Sequence, residues 1–348
     1  MASPKKKLLV LWSSFDFAHI YQTSFAHHPD YEIELVSAEG RPEDKAGYRR
    51  LLQLRREVDA GKFDLVLANN INRSPAPGNK SWATTASLAA RLFTYQRRRL
   101  DSWWAPWLVR HGQSKTPLAV IDSRDGHYVF PWDLRLLRAA TLYFKKDLMC
   151  WPRRAILPLQ NYYTEKKIAP YEARLRPMSV CMDERRFSPT SRPMKDRDID
   201  IFLSGHENNP LRRMIREKCE ALAVRYRVRV AREMIPHEEY VDCLQRARLA
   251  VCIESFGGET WRQYEVAEAG VVPLMSWPFT QVHEPLLPDI QAFYFSYIGD
   301  HFERTVAEAL RDDARLQRMS DAARHFVREK KGRSKLLNYV VDTTLAAR

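Results

Sequence analysis

Residues 251–275 read VCIESFGGETWRQYEVAEAGVVPLM, and few folds accommodate that order of side chains. The apolar run Leu249 to Ile253 has the composition of a buried parallel strand. It breaks at Glu254, Ser255, Phe256, Gly257 and Gly258, and a helix-like stretch with Arg262 and Glu265 follows. Gly270 closes that stretch, and Val271 to Met275 form a second short apolar run. Strand, glycine turn, helix and strand make a compact βαβ unit, with its helix N-terminus at the carboxyl ends of the strands. Free backbone N–H groups at such an end hold phosphate, and glycines let a ligand approach closely. Arg262 and Glu265 are three residues apart and share a helix face. A cation for a diphosphate beside a carboxylate for ribose hydroxyls suits a nucleotide-sugar.

The segment resembles the donor-binding core of GT-B glycosyltransferases, whose pattern is strand, glycine-rich turn, R-x-x-E, A-x-x-G and V-P-hydrophobic. The matching residues are Arg262, Glu265, Ala267 to Gly270 and Val272-Pro273-Leu274. The resemblance implies that Glu265 binds the donor ribose and Arg262 its phosphates, with Glu254, Gly257 and Gly258 in the turn beside them.

Weaker phrases stand in the family's order. Asp198 to Gly205 reads as a strand ending in a small-residue turn, then Asn208, Asn209, Pro210 and a helix with Arg212, Arg213 and Arg216. This is similar to the first strand and loop of the GT-B C-terminal domain, which implies that Ser204, Gly205 and Arg212 face the donor phosphates. Met182 to Pro189 resembles the phrase leading into the interdomain linker, with Cys181 or Met182 in place of the family's glycine. Pro236 to Leu244 resembles the capped helix before the donor strand. Ala140 to Asp147 resembles a strand and turn of bacterial spore-maturation-type, group 1-like enzymes.

The rest of the chain agrees with this class. Residues 8–12, 32–36, 63–68 and 118–121 read as strands, with a helix over 43–60, and strands recur at 199–203, 227–231, 249–253 and 271–275. That alternation is α/β with a mainly parallel sheet. A chain of 348 residues accommodates two domains with separate cores. The expected organisation is GT-B, two Rossmann-like domains with parallel sheets facing across a cleft. An acceptor-side domain spans 1–187, a linker 188–198 and a donor domain 199–335, and a helix over 336–348 crosses back. No stretch of 18 apolar residues suggests a membrane span. The apolar run Leu8 to Trp12 is too short for a signal peptide, and five scattered cysteines without C-x-x-C spacing suit reduced thiols. The expected location is cytoplasmic, peripheral at the inner membrane face.

The net charge of +13 exceeds what one nucleotide needs. It implies an anionic membrane surface, a phosphorylated acceptor or nucleic acid. Arg97, Arg98 and Arg99 stand close to Trp103, Trp104 and Trp107. That interleaving suits an interfacial segment, and equally an amphipathic helix packed on the first domain.

Transfer to a hydroxyl requires a base in inverting enzymes and stabilisation of the leaving diphosphate in either stereochemistry. Candidate bases follow the first-domain strands: Asp16 and His19 after the first, and Asp122 after the strand 118–121, with Asp125 and His127 beyond it. Asp122 is the first candidate and Asp16 the second; turn capping and helix packing are the competing roles. Asp198 and Asp200 read as charge at a strand entry, and His237, Glu238 and Glu239 as the first turn of a helix, so no metal is expected. Nor is a cofactor, the nucleotide-sugar being a co-substrate. Three functions compete: transfer to a lipid-linked or cell-envelope glycan at the membrane surface, transfer to modified bases in DNA, and nucleotide-sugar binding without turnover.

Overall fold

The structure, a computed structural model, describes residues 4–12, 28–37, 45–69, 108–109, 114–123, 129, 133–149, 167–182, 191–206, 210–254 and 258–348. The described chain forms two compact units. One runs up to Met178 and is completed by Leu337–Arg348; the other is Ser179–Leu336.

In the first unit the described strands are β1 (Lys6–Trp12), β2 (Tyr31–Ser37), β3 (Leu65–Asn69), β4 (Leu118–Asp122), β5 (Leu142–Lys146) and β6 (Leu175–Met178). Every pairing is parallel, in the order β2-β1-β3-β4-β5-β6. Leu8, Leu9, Val10, Leu65, Val66, Leu67 and all five residues of β4 are buried, because central parallel strands are covered on both faces. Helix α1 (Lys45–Asp59) sends Leu54 and Val58 into the cluster of Leu9, Val66 and Val120, and α2 (Leu134–Ala139) adds Leu134, Leu136 and Leu137. Truncating Leu54 to alanine would cost about 2–5 kcal/mol. Strand β6 is an edge strand, where the missing N–H of Pro177 is easily tolerated.

The second unit contains β7 (Ile199–Ser204), α3 (Pro210–Leu222), β8 (Val228–Ala231), α4 (His237–Arg246), β9 (Ala247–Cys252), α5 (Trp261–Glu268), β10 (Val272–Ser276), β11 (Phe293–Phe295), α6 (His301–Ala309), α7 (Asp313–Lys330) and the start of α8 (Arg333–Ala346). Its parallel sheet has the order β11-β10-β9-β7-β8. Side chains alternate along the strands to feed two cores. Phe202, Ala250 and Cys252 meet Cys243, Tyr264, Val266 and Val327 on one face. Ile201, Leu203, Leu249 and Val251 meet Ile215, Cys219, Phe302 and Val306 on the other. Helix α5 stops because Gly270 takes φ +73 and lies where a Cβ would stand 2.6 Å from Ser191 Cβ.

Numbered from its own first strand, the first sheet follows the order 2-1-3-4-5-6 and the second 2-1-3-4-5. The strand order reverses between the first and third strands, and ligands of open α/β sheets bind outside the carboxyl ends at that point. In the second unit these are the ends of β7 and β9.

The composition of 188–198 reads as a linker, yet residues 191–198 pack within the second unit. Met194 is buried, its N–H donates to Gln317 Oε1 at 2.9 Å, and the Arg197 guanidinium donates to the Ala247 carbonyl at 2.5 Å. Residues 179–182, placed from the sequence in the first domain, also belong to the second unit. Pro193 and the surrounding charges suggest solvent, but Met194 and Arg197 are both buried.

Candidate donor site at the ends of β7 and β9

Three guanidinium groups converge on the backbone that leaves β7. Arg212 Nη1 donates to the His206 carbonyl at 3.1 Å, Arg216 Nη2 to the Gly205 carbonyl at 3.1 Å, and Arg262 Nη1 to the Ser204 carbonyl. Arg212 also spans to the end of β9, reaching the Glu254 and Ile253 carbonyls at 3.3 Å each. Arg212 and Arg216 are four residues apart and share a face of α3. Arg262 comes from the first turn of α5, and its Nε is buried without a hydrogen-bond partner among the described residues. Carbonyl groups thus fix three cations on one stretch of backbone. Burial, and then the charge of Arg262, press the Arg212 guanidinium down from its ordinary value.

Gly205 makes this crowding possible. Its φ is +119, and a Cβ there would lie 2.7 Å from Arg262 Nη1 and 2.9 Å from Nη2. The backbone therefore approaches the guanidinium as only glycine can.

Glu254, just after β9, touches this cluster through its carbonyl. It is 9% exposed and accepts a hydrogen bond from Ser276 Oγ. Burial raises its carboxyl above the usual range, with Arg212 and Tyr297 pulling the other way. Together with Cys252, Gly258, Gln263, Met275 and Ser276 it lines a small pocket beside the strand ends. Gly258 faces Thr280 there, whose buried Oγ1 has no partner among the described residues.

Glu265 is partly exposed on α5 and accepts a hydrogen bond from Tyr240 at 3.2 Å. Of the donor residues expected from the sequence, Ser204, Gly205, Arg212, Glu254, Gly258, Arg262 and Glu265 all lie in the second unit, at or near these strand ends. Gly257 lies outside the described residues. Arg216, Tyr240, Ser276 and Tyr297 were not singled out, although the i, i+4 spacing of Arg212 and Arg216 was available as a signal.

The acceptor-side candidates differ. Asp16, His19, Asp125 and His127 lie outside the described residues, as does the block around Trp103, Trp104 and Trp107. Asp122 ends β4, but it is wholly buried. It accepts a hydrogen bond from Tyr143 at 2.7 Å and pairs with Lys145 at 3.6 Å, itself wholly buried and its register partner on β5. This geometry makes Asp122 a core ion pair.

Asp198 bonds to Arg246 at 2.6 Å and Asp200 to Arg227 at 2.8 Å and Arg248 at 3.1 Å, so both carboxylates serve ion pairs at the entry of β7. Among the described residues no group of three His, Cys, Asp or Glu side chains is placed to hold a metal, and no helix is long and apolar enough to cross a membrane.

No protein-family model matches the chain, and no curated protein matches it in sequence. Solved structures do match. Sucrose-phosphate synthase from Thermosynechococcus elongatus is 12% identical with a TM-score of 0.51, the match covering 99% of this chain and 100% of that one. A glycosyltransferase from Rickettsia africae is 8% identical with a TM-score of 0.51 over 99% of both chains. HepE of Anabaena, solved in complex with UDP, is 8% identical with a TM-score of 0.53, covering 98% of this chain and 100% of that one. At such identities the likeness speaks for the fold, and the chain has the α/β fold of the GT-B glycosyltransferases.

Proposed function

We propose that the protein transfers a sugar from a nucleotide-diphosphate sugar to a hydroxyl acceptor, a lipid-linked or cell-envelope glycan at the cytoplasmic face of a membrane. The observation that carries this reading is the convergence of Arg212, Arg216 and Arg262 on the backbone of Ser204, Gly205 and His206. Cations held by carbonyls at a strand-order switch point are preorganised for a diphosphate, and most useful when that diphosphate leaves with its full charge. The fixed guanidinium groups take the role that a divalent ion has elsewhere, so the reaction needs no metal. Glu265 receives the ribose hydroxyls, and the pocket lined by Glu254, Gln263 and Ser276 receives polar parts of the donor. The HepE structure was solved with UDP, which agrees with a nucleotide in this fold.

With Asp122 committed to Lys145, the acceptor base falls to Asp16 or His19, which follow β1. The acceptor itself is anionic. Residues 1–178 carry 29 Lys and Arg against 17 Asp and Glu, whereas residues 179–336 carry 26 against 25. Nearly all the excess positive charge therefore belongs to the acceptor half, as expected if it meets a polyanionic surface. DNA is the second reading, favoured by this same partition.

The test is a thermal-shift titration with UDP-, GDP-, ADP- and TDP-sugars, with and without EDTA. Stabilisation by one nucleotide class that survives EDTA is expected, and no shift with any of them would overturn the donor site. Binding to anionic vesicles and to duplex DNA across a salt series separates the two acceptors, because DNA affinity falls steeply with log salt.

A further inference from the structure

Behind helix α5, on the side away from Arg262 and Glu265, lies a buried polar cluster with no part in the donor site described above. Glu259, two residues before α5, is 2% exposed. Its Oε2 accepts a hydrogen bond from the Val180 N–H at 3.0 Å, and its Oε1 accepts one from the Tyr264 hydroxyl. Tyr264 is wholly buried and lies between Arg262 and Glu265 in sequence. Lys331, 2% exposed, donates to Ser179 Oγ at 2.8 Å and to the His283 carbonyl at 2.6 Å. Its ammonium also stands 4.8 Å from the Tyr264 ring centroid and 5.7 Å from that of Phe326. The Met182 N–H donates to the Lys331 carbonyl at 2.7 Å, and Met182 bridges to Gly332.

The position of these residues along the chain gives the cluster its meaning. The chain passes from the first unit to the second at Met178–Ser179 and returns at Leu336–Leu337. Ser179, Val180 and Met182 are the first residues after one passage, and Lys331 and Gly332 lie just before the other. Both segments are thus fastened to each other and, through Glu259 and Tyr264, to the helix that carries Arg262 and Glu265.

A buried carboxylate and a buried ammonium, each held by its own hydrogen bonds around one tyrosine, are an expensive way to fill a core, since each charge loses its hydration. Apolar side chains of the same volume would pack the site at no greater cost. What charges add is orientation: the carboxylate and ammonium hold their partners at fixed distances and angles. We propose that Glu259 and Lys331 are positioning residues, which lock α5 to both chain passages and so couple the setting of Arg262 and Glu265 to the segments 179–182 and 331–336. The inference rests on the reading of α5 as the nucleotide-binding helix.

The groups facing Lys331 agree with a poised cluster. Burial brings its ammonium down to about 8, opposed by the charges of Glu259, Glu284 and Cys181. Burial raises Glu259 against the pull of Lys331 and Tyr264, and it lowers His283 to about 4, with the Lys331 charge adding to the effect. Around pH 7 Lys331 is charged and the lock is intact; through pH 8 to 9 the ammonium loses its proton and Glu259 loses its counter-charge.

The experiment combines UDP titration with amide hydrogen exchange on the full-length wild type, Lys331→Met and Tyr264→Phe. In the wild type, UDP is expected to slow exchange in 261–268 and also in 179–182 and 331–336. Its affinity is expected to fall several-fold between pH 7 and 9, since one pH unit on either side of the lysine value takes it from roughly 90% to roughly 10% charged. In Lys331→Met, affinity should fall about tenfold, the alkaline loss should vanish, and exchange should quicken in 179–182 and 259–268 while helix 210–222 is unchanged. Should Lys331→Met not fold, Tyr264→Phe keeps the ring under the ammonium and removes only the bond to Glu259; it should show the same pattern at smaller size. Wild-type affinity, pH profile and exchange in either folded variant would overturn the proposal. A wild type that binds no nucleotide sinks the donor-site reading instead. The lock is then judged by exchange without ligand: quickening confined to 179–182 and 259–268 supports it, and unchanged exchange overturns it.

Discussion

The guanidinium of Arg262 lies where a side chain on Gly205 would stand, 2.7 Å from the position of its missing Cβ. The absence of one side chain is therefore part of the placement of another. Gly205→Ala should displace Arg262 and, with φ at +119, strain the turn by about 1–3 kcal/mol. Its nucleotide affinity should match that of Arg262→Ala, which loses a charged hydrogen bond of ~1.5–3 kcal/mol, roughly ten- to a hundredfold in Kd. Isothermal titration of both variants checks this. A Gly205→Ala protein with wild-type affinity would show that Arg262 is not placed by that close approach.

Glu265 should read the sugar of the nucleotide. Wild-type protein is expected to prefer UDP over its 2′-deoxy counterpart by about tenfold, the worth of one charge-assisted hydrogen bond. In Glu265→Ala the preference should disappear while the melting temperature stays close to wild type. Equal preference in the two proteins would assign the ribose to another residue.

Asp122 is expected to behave as core. In Asp122→Asn the buried Lys145 is left without its counter-charge, at a cost of about 3–5 kcal/mol. Urea unfolding should show that loss. A variant that keeps its stability and loses turnover alone would restore Asp122 as the base.

Glu254 sets a pH dependence of stability. Burial raises its folded value above the unfolded one, so the folded state holds the proton more tightly and stability falls as pH rises through that window. Glu254→Gln removes the titration and should melt increasingly above wild type as pH is raised past the usual carboxylate range. Parallel melting curves across that window would show that the carboxyl is not pressed toward its neutral form.

Much of the fold is legible in the sequence because a central parallel strand has to be apolar on both faces. Leu8 to Leu11, Leu118 to Ile121 and Leu249 to Cys252 announce themselves in this way. Leu175–Met178 does not, because Pro177 argues against a strand until its place at the sheet edge is known. Phe293–Phe295 is too short to stand out. The residues proposed for the donor stand out where spacing is local, as with Arg262 and Glu265 on one helix. The surroundings of Asp122 are not legible, because Tyr143 and Lys145 reach it from the neighbouring strand, more than twenty residues along the chain. Spacing within one segment carries no trace of that register. The cluster of Glu259, Tyr264 and Lys331 was invisible for the same reason, its members gathering only after the whole second unit has folded.

The last helix has a consequence for how the protein is made. Residues 337–348 belong to the first unit, where Tyr339 donates to the Pro177 carbonyl at 3.0 Å, packs edge-on against Phe144 at 5.4 Å, and Asp342 pairs with Lys6 at 3.2 Å. Those partners leave the ribosome early and wait through the synthesis of the entire second unit for the residues that finish them. The unit whose strands emerge first is therefore the last to be completed, and in the interval a first unit without its closing helix is exposed to chaperones and proteases.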